Sequence, residues 1–301
     1  MDFKSVTEET AGFPFCRKCS GKTLKISGIR VHFPYKNEVS RKWRFFNMDA
    51  NDQVMETIRK GASLIRQGNG MVFTGAGISV ESGIPPFRGS GGLWDQVDPS
   101  FIELGFFMDH PRESWAKIRS LFYDHWGKAS FNYAHRAVTD LWKRGWIKGV
   151  VTQNIDCLHQ RAGMDPELVH EFHGTLDRLV CLQCSASYGP DRELMEQELP
   201  TCPQCGGCLK PDFVFFGEDI PADTLEQSLA LAENCSFCLV IGTTGEVMPA
   251  CQIPRIAAAK GAKIIEINPA HSAFTGSLTD LYIPCKAVQG MDLLMKELSS
   301  L

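Results

Sequence analysis

Apolar and polar positions alternate along the chain in blocks that predict helices followed by short buried strands. Apolar residues recur at helical spacing over positions 54–65, and Gly68 and Gly70 stop this helix before an apolar run at Met71–Phe73. Three further apolar runs, bounded by glycine or polar residues, predict strands at Gly149–Thr152, Phe237–Ile241 and Lys263–Ile267. Because helical segments separate these runs, the pattern predicts an α/β fold with a parallel sheet covered on both faces.

The carboxyl ends of the predicted strands carry unusual sets of small and polar residues. These sets are Gly75-Ala76-Gly77, Thr152-Gln153-Asn154-Ile155-Asp156, Gly242-Thr243-Thr244 and Asn268-Pro269. In an open α/β sheet, ligands bind in the crevice at this edge. A glycine-rich turn lets the backbone approach a pyrophosphate and offers N–H groups to it, and short polar side chains can hold a ribose. The four strand ends together predict a nucleotide cofactor.

Two segments interrupt the alternation of strands and helices. The region of about residues 85–135 is rich in glycine and aromatic residues and is too long for a simple crossover, so it predicts a helical insertion over the site. The cysteine-rich region of about residues 179–211 predicts a second, metal-binding insertion. We therefore expect a basic N-terminal extension over residues 1–50 and a catalytic domain over residues 51–301.

Composition and charge narrow the class of protein. With 301 residues and 44% hydrophobic content the chain can bury a large core, and it contains neither a membrane-spanning run nor a secretory signal, so a cytoplasmic location is expected. Residues 1–50 carry 10 Lys/Arg against 5 Asp/Glu, and residues 51–301 carry 21 against 30. The body is therefore not a nucleic-acid-binding surface on charge grounds, and the basic extension is either solvated or in contact with an acidic partner.

Twelve cysteines without a secretory signal indicate reduced thiols and metal ligation. Cys181 and Cys184 form one pair at knuckle spacing and Cys202 and Cys205 a second, which predicts one structural zinc with four thiolates and no open position for water. Cys208 is the competing ligand, but Pro203 and the two glycines after Cys205 favour the pair Cys202 and Cys205. The pair Cys16 and Cys19 has no second pair nearby and is interpreted as incidental.

The ordered set of motifs resembles the sirtuins over about residues 54–298. The motifs that carry the resemblance are Gly75–Ser79, Ser82–Pro85 with Phe87-Arg88, Thr152–Asp156, His173-Gly174, the paired cysteines, Lys210–Asp212, Phe216–Glu218 and Gly242–Thr244. The resemblance implies a Rossmann-like large domain, a small zinc-binding domain and an NAD-dependent protein lysine deacylase. In that family's mechanism the acyl oxygen of the modified lysine attacks the nicotinamide ribose of NAD as nicotinamide leaves, giving an alkylimidate. Water then releases free lysine and O-acyl-ADP-ribose.

The resemblance also assigns roles to individual residues. His173 would be the general base that deprotonates a ribose hydroxyl, since a histidine pKa lies near working pH. Asn154 and Asp156 would position the ribose and the nicotinamide carboxamide. The positions that match cofactor contacts are Gly75, Ala76, Gly77, Ser79, Phe87, Arg88, Gln153, Asn154, Asp156, Gly242, Thr243, Thr244, Asn268 and Ala287. The positions that match substrate contacts are Tyr123, which lies in the helical insertion, and the peptide-pairing segment Val214, Phe215, Phe216, Gly217 and Glu218.

Three departures from the family's pattern stand out. Pro86 replaces a common aspartate and stiffens its loop, while Thr244 replaces a common serine and keeps its hydroxyl. Relatives that remove succinyl or malonyl groups carry Tyr-x-x-Arg in the helical insertion, and here Trp126 stands in the arginine position after Tyr123. An aromatic side chain cannot neutralise a carboxylate, so neutral acyl groups are expected unless Arg119 or Lys128 compensates.

Other function classes are weighed against deacylation. A mono-ADP-ribosyltransferase or an NAD glycohydrolase would use the same crevice, but His173 and the Phe216–Glu218 motif favour deacylation. A non-enzymatic interaction module would leave the polar strand ends without a purpose, and a dehydrogenase is disfavoured by the incomplete glycine fingerprint. The expected partners are proteins or peptides that contain acyl-lysine, with neither a membrane nor nucleic acid among them.

Overall fold

The computed structural model describes residues 24–26, 29–31, 52–87, 91–124 and 128–300. Its contacts divide the chain into two units, Met1–Asn51 and Asp52–Leu301. In the first unit, β1 (Leu24–Ile26) and β2 (Ile29–Val31) form a short antiparallel pair. The pair Cys16 and Cys19 lies outside the described residues.

The second unit contains two sheets and the helices that cover them. Its strands are β3 (Gly70–Thr74), β4 (Ile147–Thr152), β5 (Val169–Glu171), β6 (Gly174–Cys181), β7 (Ser187–Tyr188), β8 (Leu209–Phe213), β9 (Phe237–Ile241), β10 (Lys263–Ile267) and β11 (Leu281–Ile283). Its helices are α1 (residues 52–66), α2 (Leu104–Asp109), α3 (Pro111–Ile118), α4 (Tyr133–Lys143), α5 (Leu158–Arg161), α6 (Arg192–Glu196), α7 (Ala222–Asn234), α8 (Gln252–Ala259) and α9 (Ala287–Ser300). Among the described residues, no helix has the length and apolar character needed to cross a membrane.

The larger sheet has six parallel strands in the order β11-β10-β9-β3-β4-β5. From the central strand β3 the chain first extends the sheet on one side through β4 and β5. It then extends the sheet on the other side through β9, β10 and β11. This reversal places a topological switch point between β3 and β9, where ligands bind in folds of this type. The predicted Rossmann-like parallel sheet is therefore confirmed.

Helices cover both faces of this sheet, so its four central strands are almost entirely buried. One face packs against α1, α4 and α9, and the other packs against α7 and α8. The residues of α1 that recur at helical spacing, Ile58, Ala62 and Ile65, are fully buried, and Gly68 follows the helix in the left-handed region at φ 77°. The apolar positions of the sequence thus form both the strands and the helix faces that pack on them.

A smaller antiparallel sheet in the order β7-β6-β8 carries the cysteines. Residues of this sheet share one apolar cluster with the helical segment between β3 and α4. Trp115 on α3 is fully buried, and its Nε1 donates to the carbonyl of Leu209 on β8 at 2.8 Å. The helical insertion and the cysteine-bearing sheet therefore form one packed body beside the larger sheet.

Candidate functional site

The glycine turn after β3 lies directly against the glycine turn after β9. The N–H of Gly77 donates to the carbonyl of Gly242 at 2.8 Å, and the N–H of Gly75 donates to the carbonyl of Ile241 at 3.0 Å. A Cβ atom on Gly77 would lie 2.5 Å from Cα of Gly242, and one on Gly242 would lie 2.5 Å from the nitrogen of Ile78. No other residue type allows this approach.

This contact corrects one detail of the sequence interpretation. We expected the N–H groups of the glycine turn to be offered to a pyrophosphate. Two of them, those of Gly75 and Gly77, are bonded to the neighbouring strand end instead. The glycines are needed first to bring the two turns together at the switch point, and only the remaining groups of the turn can face a ligand.

The polar run after β4 converges on Ser79 at the same edge of the sheet. The Ser79 hydroxyl donates to Oδ2 of Asp156 at 2.6 Å, and Nδ2 of Asn154 donates to Ser79 Oγ at 3.1 Å and to Asp156 Oδ2 at 3.3 Å. Burial raises the pKa of Asp156, while its hydrogen bonds to Ser79 and to the N–H of Leu158 oppose that rise. Oδ1 of Asn154 is buried and has no hydrogen-bond partner. A buried acceptor of this kind calls for a donor from a ligand.

Two buried histidines that the sequence analysis did not single out support this run. The N–H of Asn132 donates to Nδ1 of His135 at 3.3 Å, so Nε2 carries the proton and faces Ser79 Oγ at 3.4 Å. The Thr74 hydroxyl donates to Thr152 at 2.8 Å, so Nε2 of His159 donates to Thr74 at 3.0 Å. Burial lowers the pKa of His135 to about 2 and of His159 to about 4, which keeps both rings neutral.

His173 follows β5 and lies beside the same run. Its Nδ1 is 3.0 Å from the carbonyl of Gln153, which only accepts, so Nδ1 carries the proton and Nε2 is the free basic nitrogen. Burial lowers the pKa of His173, and the hydrogen bond to Gln153 opposes that shift. The ring is therefore neutral at physiological pH and can accept a proton at Nε2.

Glu171 is a second group that the sequence analysis missed. It ends β5, and burial raises its pKa to about 7 beside Cys157, Thr175 and Asp177. One of its carboxyl oxygens, Oε1, is buried without a hydrogen-bond partner. A glutamate in a short strand has no sequence signal that separates it from a solvent-facing one, because its burial depends on β6 and on the loop before α5.

The remaining predicted cofactor residues lie on both sides of the glycine contact. Nε2 of Gln153 donates to the Thr243 hydroxyl at 2.9 Å, and Nδ2 of Asn268 donates to the Thr243 carbonyl at 2.8 Å. Ala287 is buried at the start of α9, and Thr244 is half-buried in the turn after β9. Phe87 is half-buried and its ring centroid lies 5.3 Å from that of Trp94. Arg88 lies outside the described residues.

The predicted peptide-pairing segment is partly paired within the protein. The N–H of Val214 donates to the carbonyl of His173 at 2.8 Å, which places the segment beside the candidate base. The N–H of Phe216 donates to the Ile102 carbonyl at 2.9 Å, and the N–H of Leu104 donates to the Phe216 carbonyl at 3.0 Å. A pairing substrate strand therefore cannot use the backbone of Phe216.

The rest of this segment has different surroundings. Phe215 is buried and packs edge-on to Phe107 with ring centroids 5.3 Å apart, while Gly217 follows at φ 93° with open space around its Cα. Glu218 accepts from the N–H of Phe215 at 2.7 Å and from Nζ of Lys210 at 2.9 Å, which folds the end of the segment back on itself.

The residues considered for acyl recognition are only partly described. The Tyr123 hydroxyl donates to the Leu176 carbonyl at 3.1 Å, and its ring stacks on Trp115 at a centroid distance of 6.1 Å. A guanidinium nitrogen of Arg119 donates to the carbonyl of Gln197. Trp126 lies outside the described residues.

Four cysteine sulfurs form a compact cluster at the end of the smaller sheet. The Sγ atoms of Cys181, Cys184, Cys202 and Cys205 all lie within 4.8 Å of one another, with 3.5 Å between Cys181 and Cys205 and 3.6 Å between Cys184 and Cys202. The edge of a tetrahedron of thiolates around zinc is about 3.8 Å, so the four residues fit this ion. The hydroxyl of Tyr188 also lies 3.2 Å from the sulfur of Cys202.

Cys208 is not part of this cluster. Its thiol donates to the Leu209 carbonyl at 3.5 Å, and burial raises its pKa to about 11. The preference for Cys202 and Cys205 over Cys208 therefore agrees with the observed cluster.

Comparison with known proteins gives the family. The Sir2 family model matches residues 75–249. This chain belongs to the Sir2 family. Among curated relatives of this sirtuin, NAD-dependent protein deacylase 2 of Pyrobaculum aerophilum is 40% identical over 231 residues, which cover 75% of this chain and 90% of that protein. NAD-dependent protein deacylase 2 of Archaeoglobus fulgidus is 37% identical over 255 residues, which cover 82% and 98%.

Solved structures agree with this assignment. A Sir2 protein with a deacetylated p53 peptide and 3'-O-acetyl ADP-ribose superposes with a TM-score of 0.74 at 31% identity, covering 80% of this sirtuin and 98% of that chain. A Sir2 protein bound to a propionylated peptide superposes with a TM-score of 0.72 at 30% identity, covering 80% and 98%. The similarity therefore spans nearly the whole of both known chains.

Proposed function

We propose that this sirtuin is an NAD-dependent protein lysine deacylase in which His173 is the general base. The observation that carries the proposal is the juxtaposition of two groups at one sheet edge. Asn154 presents a buried acceptor without a partner, and His173 presents a neutral ring whose Nδ1 proton is held by Gln153. The first suits a ribose hydroxyl, and the second suits removal of a hydroxyl proton.

Some residues of the site bind and orient NAD, and His173 transfers a proton. NAD, as co-substrate, supplies the ribose that takes the acyl group from lysine. Asn154 and Asp156 orient that end of the molecule, since Ser79, His135 and the N–H of Leu158 hold them in place. His173 accepts a hydroxyl proton at Nε2 and keeps the resulting charge close to the Gln153 carbonyl. The relatives named deacylases and the Sir2 structures with acyl peptides support this proposal.

We further propose that neutral acyl groups are preferred. The Tyr123 hydroxyl is bonded to Leu176, and Arg119 is bonded to Gln197 and lies over the ring of Trp115 at 6.0 Å. The Tyr123 hydroxyl therefore already has an acceptor, and Arg119 is held by Gln197 and Trp115, although its Nε is buried without a hydrogen-bond partner. An acyl carboxylate without a cation would be costly to bury.

Mass spectrometry of the reaction tests the proposed function. The protein is incubated with NAD and a panel of acetyl-, succinyl- and long-chain-acyl-lysine peptides, alongside the variants His173→Ala and His110→Ala. His110 is exposed between α2 and α3 and serves as the matched histidine control. We expect free lysine and O-acyl-ADP-ribose from neutral acyl peptides, an activity loss of at least about 100-fold in His173→Ala, and full activity in His110→Ala.

Other outcomes lead to other assignments. Consumption of NAD without deacylation would favour the mono-ADP-ribosyltransferase or NAD glycohydrolase alternative. A preference for succinyl-lysine would contradict the proposed neutral acyl group. Zinc and NAD are the expected ligands of the enzyme, and a cytoplasmic location and the absence of nucleic-acid partners remain predictions.

A further inference from the structure

The connection between β10 and β11 is unusual because it contains no helix. Parallel strands are normally joined by a crossover helix, and long connections without secondary structure usually serve a function. Here residues 268–280 run between the two strands as a series of turns. The segment begins at Asn268, a predicted cofactor residue, and ends at Asp280, which accepts from the N–H of Ile264 at 2.9 Å.

A fully buried carboxylate lies beneath this connection. Glu266 on β10 has no exposed surface, and the hydroxyls of three connection residues donate to it. Ser272 donates to Oε1 at 2.6 Å, and Thr275 and Thr279 donate to Oε2 at 2.9 and 2.6 Å. A carboxylate only accepts hydrogen bonds, so it can bind all three donors at once. No ion pair to Glu266 is found within the described ranges, where the three hydroxyls compensate its burial.

The connection is joined in turn to the cofactor turn after β9. The N–H of Ala273 donates to the carbonyl of Thr244 at 2.8 Å, and the ring of the buried Phe274 lies against Gly245. Asn268 at the start of the connection donates from Nδ2 to the carbonyl of Thr243 at 2.8 Å. The turn Gly242–Gly245 is therefore held from one side by the glycine contact and from the other by this connection.

We propose that Glu266 is a positioning residue for NAD: by holding residues 272–279 it fixes both Asn268 and the turn Gly242–Gly245 in the geometry that binds the cofactor. The proposal rests on the proposed function, because it presumes that NAD occupies this edge of the sheet. Glu266 touches no ligand itself and acts through Thr244 and Asn268. Its carboxylate is required because an amide at the same place offers only one oxygen to three donors.

Binding of ADP-ribose to the purified full chain, measured by isothermal titration calorimetry, tests this proposal together with steady-state kinetics. The variants are Glu266→Gln, Thr279→Val and the control Ser277→Ala. Ser277 lies in the same connection, but its hydroxyl donates to the carbonyls of Ala273 and Phe274 and not to Glu266. Thr279→Val removes one donor without changing side-chain shape, which keeps the test valid where Glu266→Gln does not fold.

We expect the ADP-ribose dissociation constant to rise about tenfold in Glu266→Gln and about threefold in Thr279→Val, and to stay within about twofold in Ser277→Ala. The KM for NAD should follow these changes, while kcat and the KM for the acyl peptide should change by less than about twofold. Faster amide exchange of Thr244 and Gly245 in Glu266→Gln should accompany the weaker binding.

Two results would overturn the inference. If Glu266→Gln lowers the melting temperature but both it and Thr279→Val bind ADP-ribose like the wild type, Glu266 is only structural. If all three variants weaken ADP-ribose binding equally, any change in residues 268–280 weakens binding, and Glu266 has no specific role. If the wild-type protein binds ADP-ribose but does not deacylate peptides, the proposed function is wrong. The role of Glu266 would still be decided by comparing ADP-ribose binding among the variants.

Discussion

At the scale of single residues, the site depends on protons that are fixed in place by neighbouring donors and acceptors. The carbonyl of Gln153 fixes the proton of His173 at Nδ1, and the backbone of Asn132 fixes the proton of His135 at Nε2. The Ser79 hydroxyl donates its single proton to Asp156. When a hydrogen-bond network allows one arrangement of protons, its side chains are held rigidly. A site that orients a ribose requires this rigidity.

The pKa of His173 predicts the pH dependence of catalysis. Burial lowers this pKa below its ordinary value of 6.5, and only the neutral ring acts as a base. We therefore expect kcat/KM to fall at acid pH with an apparent pKa below about 6.5 and to be level at neutral pH. Measuring kcat/KM against pH with acetyl-lysine peptide checks this. An acid limb centred above about pH 7 would indicate that another group controls the reaction.

Gly242 provides a second prediction at this scale. Its φ of 64° and the 2.5 Å distance from a Cβ to the nitrogen of Ile78 together exclude a side chain. Gly242→Ala should therefore push the two turns apart and weaken ADP-ribose binding by more than about tenfold. Gly261→Ala is the matched control, since Gly261 has φ 99° but open space around it. Equal loss of binding in both variants would mean that backbone strain, and not the contact, matters.

At the scale of elements, the four-cysteine cluster and the helical insertion depend on one another. The first cysteine of the cluster is the last residue of β6, and the other three come before β8 in the chain. The carbonyl of Leu209 on β8 accepts a hydrogen bond from the buried Trp115 on α3. Zinc is therefore expected to stabilise β8 and the helical insertion as well as the turns that carry the cysteines. Loss of the ion would loosen β8 and with it the packing of the insertion.

A cysteine substitution tests this dependence. Cys205→Ser should release zinc, raise amide exchange in both β8 and α3, and lower the melting temperature. Cys208→Ser should keep one zinc per chain and the wild-type exchange pattern, because Cys208 lies outside the cluster. Zinc content by atomic absorption and hydrogen exchange by mass spectrometry give both readings. Zinc loss in Cys208→Ser would return Cys208 to the set of ligands.

The elements also show how far a sequence predicts a fold. The runs at Phe237–Ile241 and Lys263–Ile267 are strands with the predicted bounds, because a strand covered on both faces is mostly apolar. The exposed Lys263 and the buried Glu266 are the two exceptions in the second run. The strands β5 and β11 were not predicted. Each has three residues and sits at an edge of the sheet, where few apolar side chains are needed and where pairing with a neighbour, not periodicity, defines the strand.

The site follows the same rule. The residues at the strand ends were predicted because glycine and short polar residues are unexpected directly after a buried strand. The supporting residues His135, His159 and Glu266 were not, because each lies in a helix or strand whose pattern is ordinary. Their burial and their partners come from elements distant in sequence, so no local signal separates them from surface residues.

At the scale of the whole molecule, every described site residue lies in the unit Asp52–Leu301. The three apolar clusters that support the site are also formed by residues of this unit. We therefore expect a protein shortened to residues 52–301 to fold cooperatively and to bind ADP-ribose within about twofold of the full chain. Calorimetric titration and thermal unfolding of both proteins check this. Loss of binding on shortening would show that residues 1–51 contribute to the site.

The contact between Gly77 and Gly242 has a consequence for how the crevice can vary. Side chains can lengthen, shorten or rotate to suit a different ligand, but this joint is made of main chain on both sides, and no rotamer can adjust it. The contact therefore fixes how close the two turns lie at the switch point. Differences in substrate preference are therefore expected to arise from the side chains around this contact, and not from the contact itself.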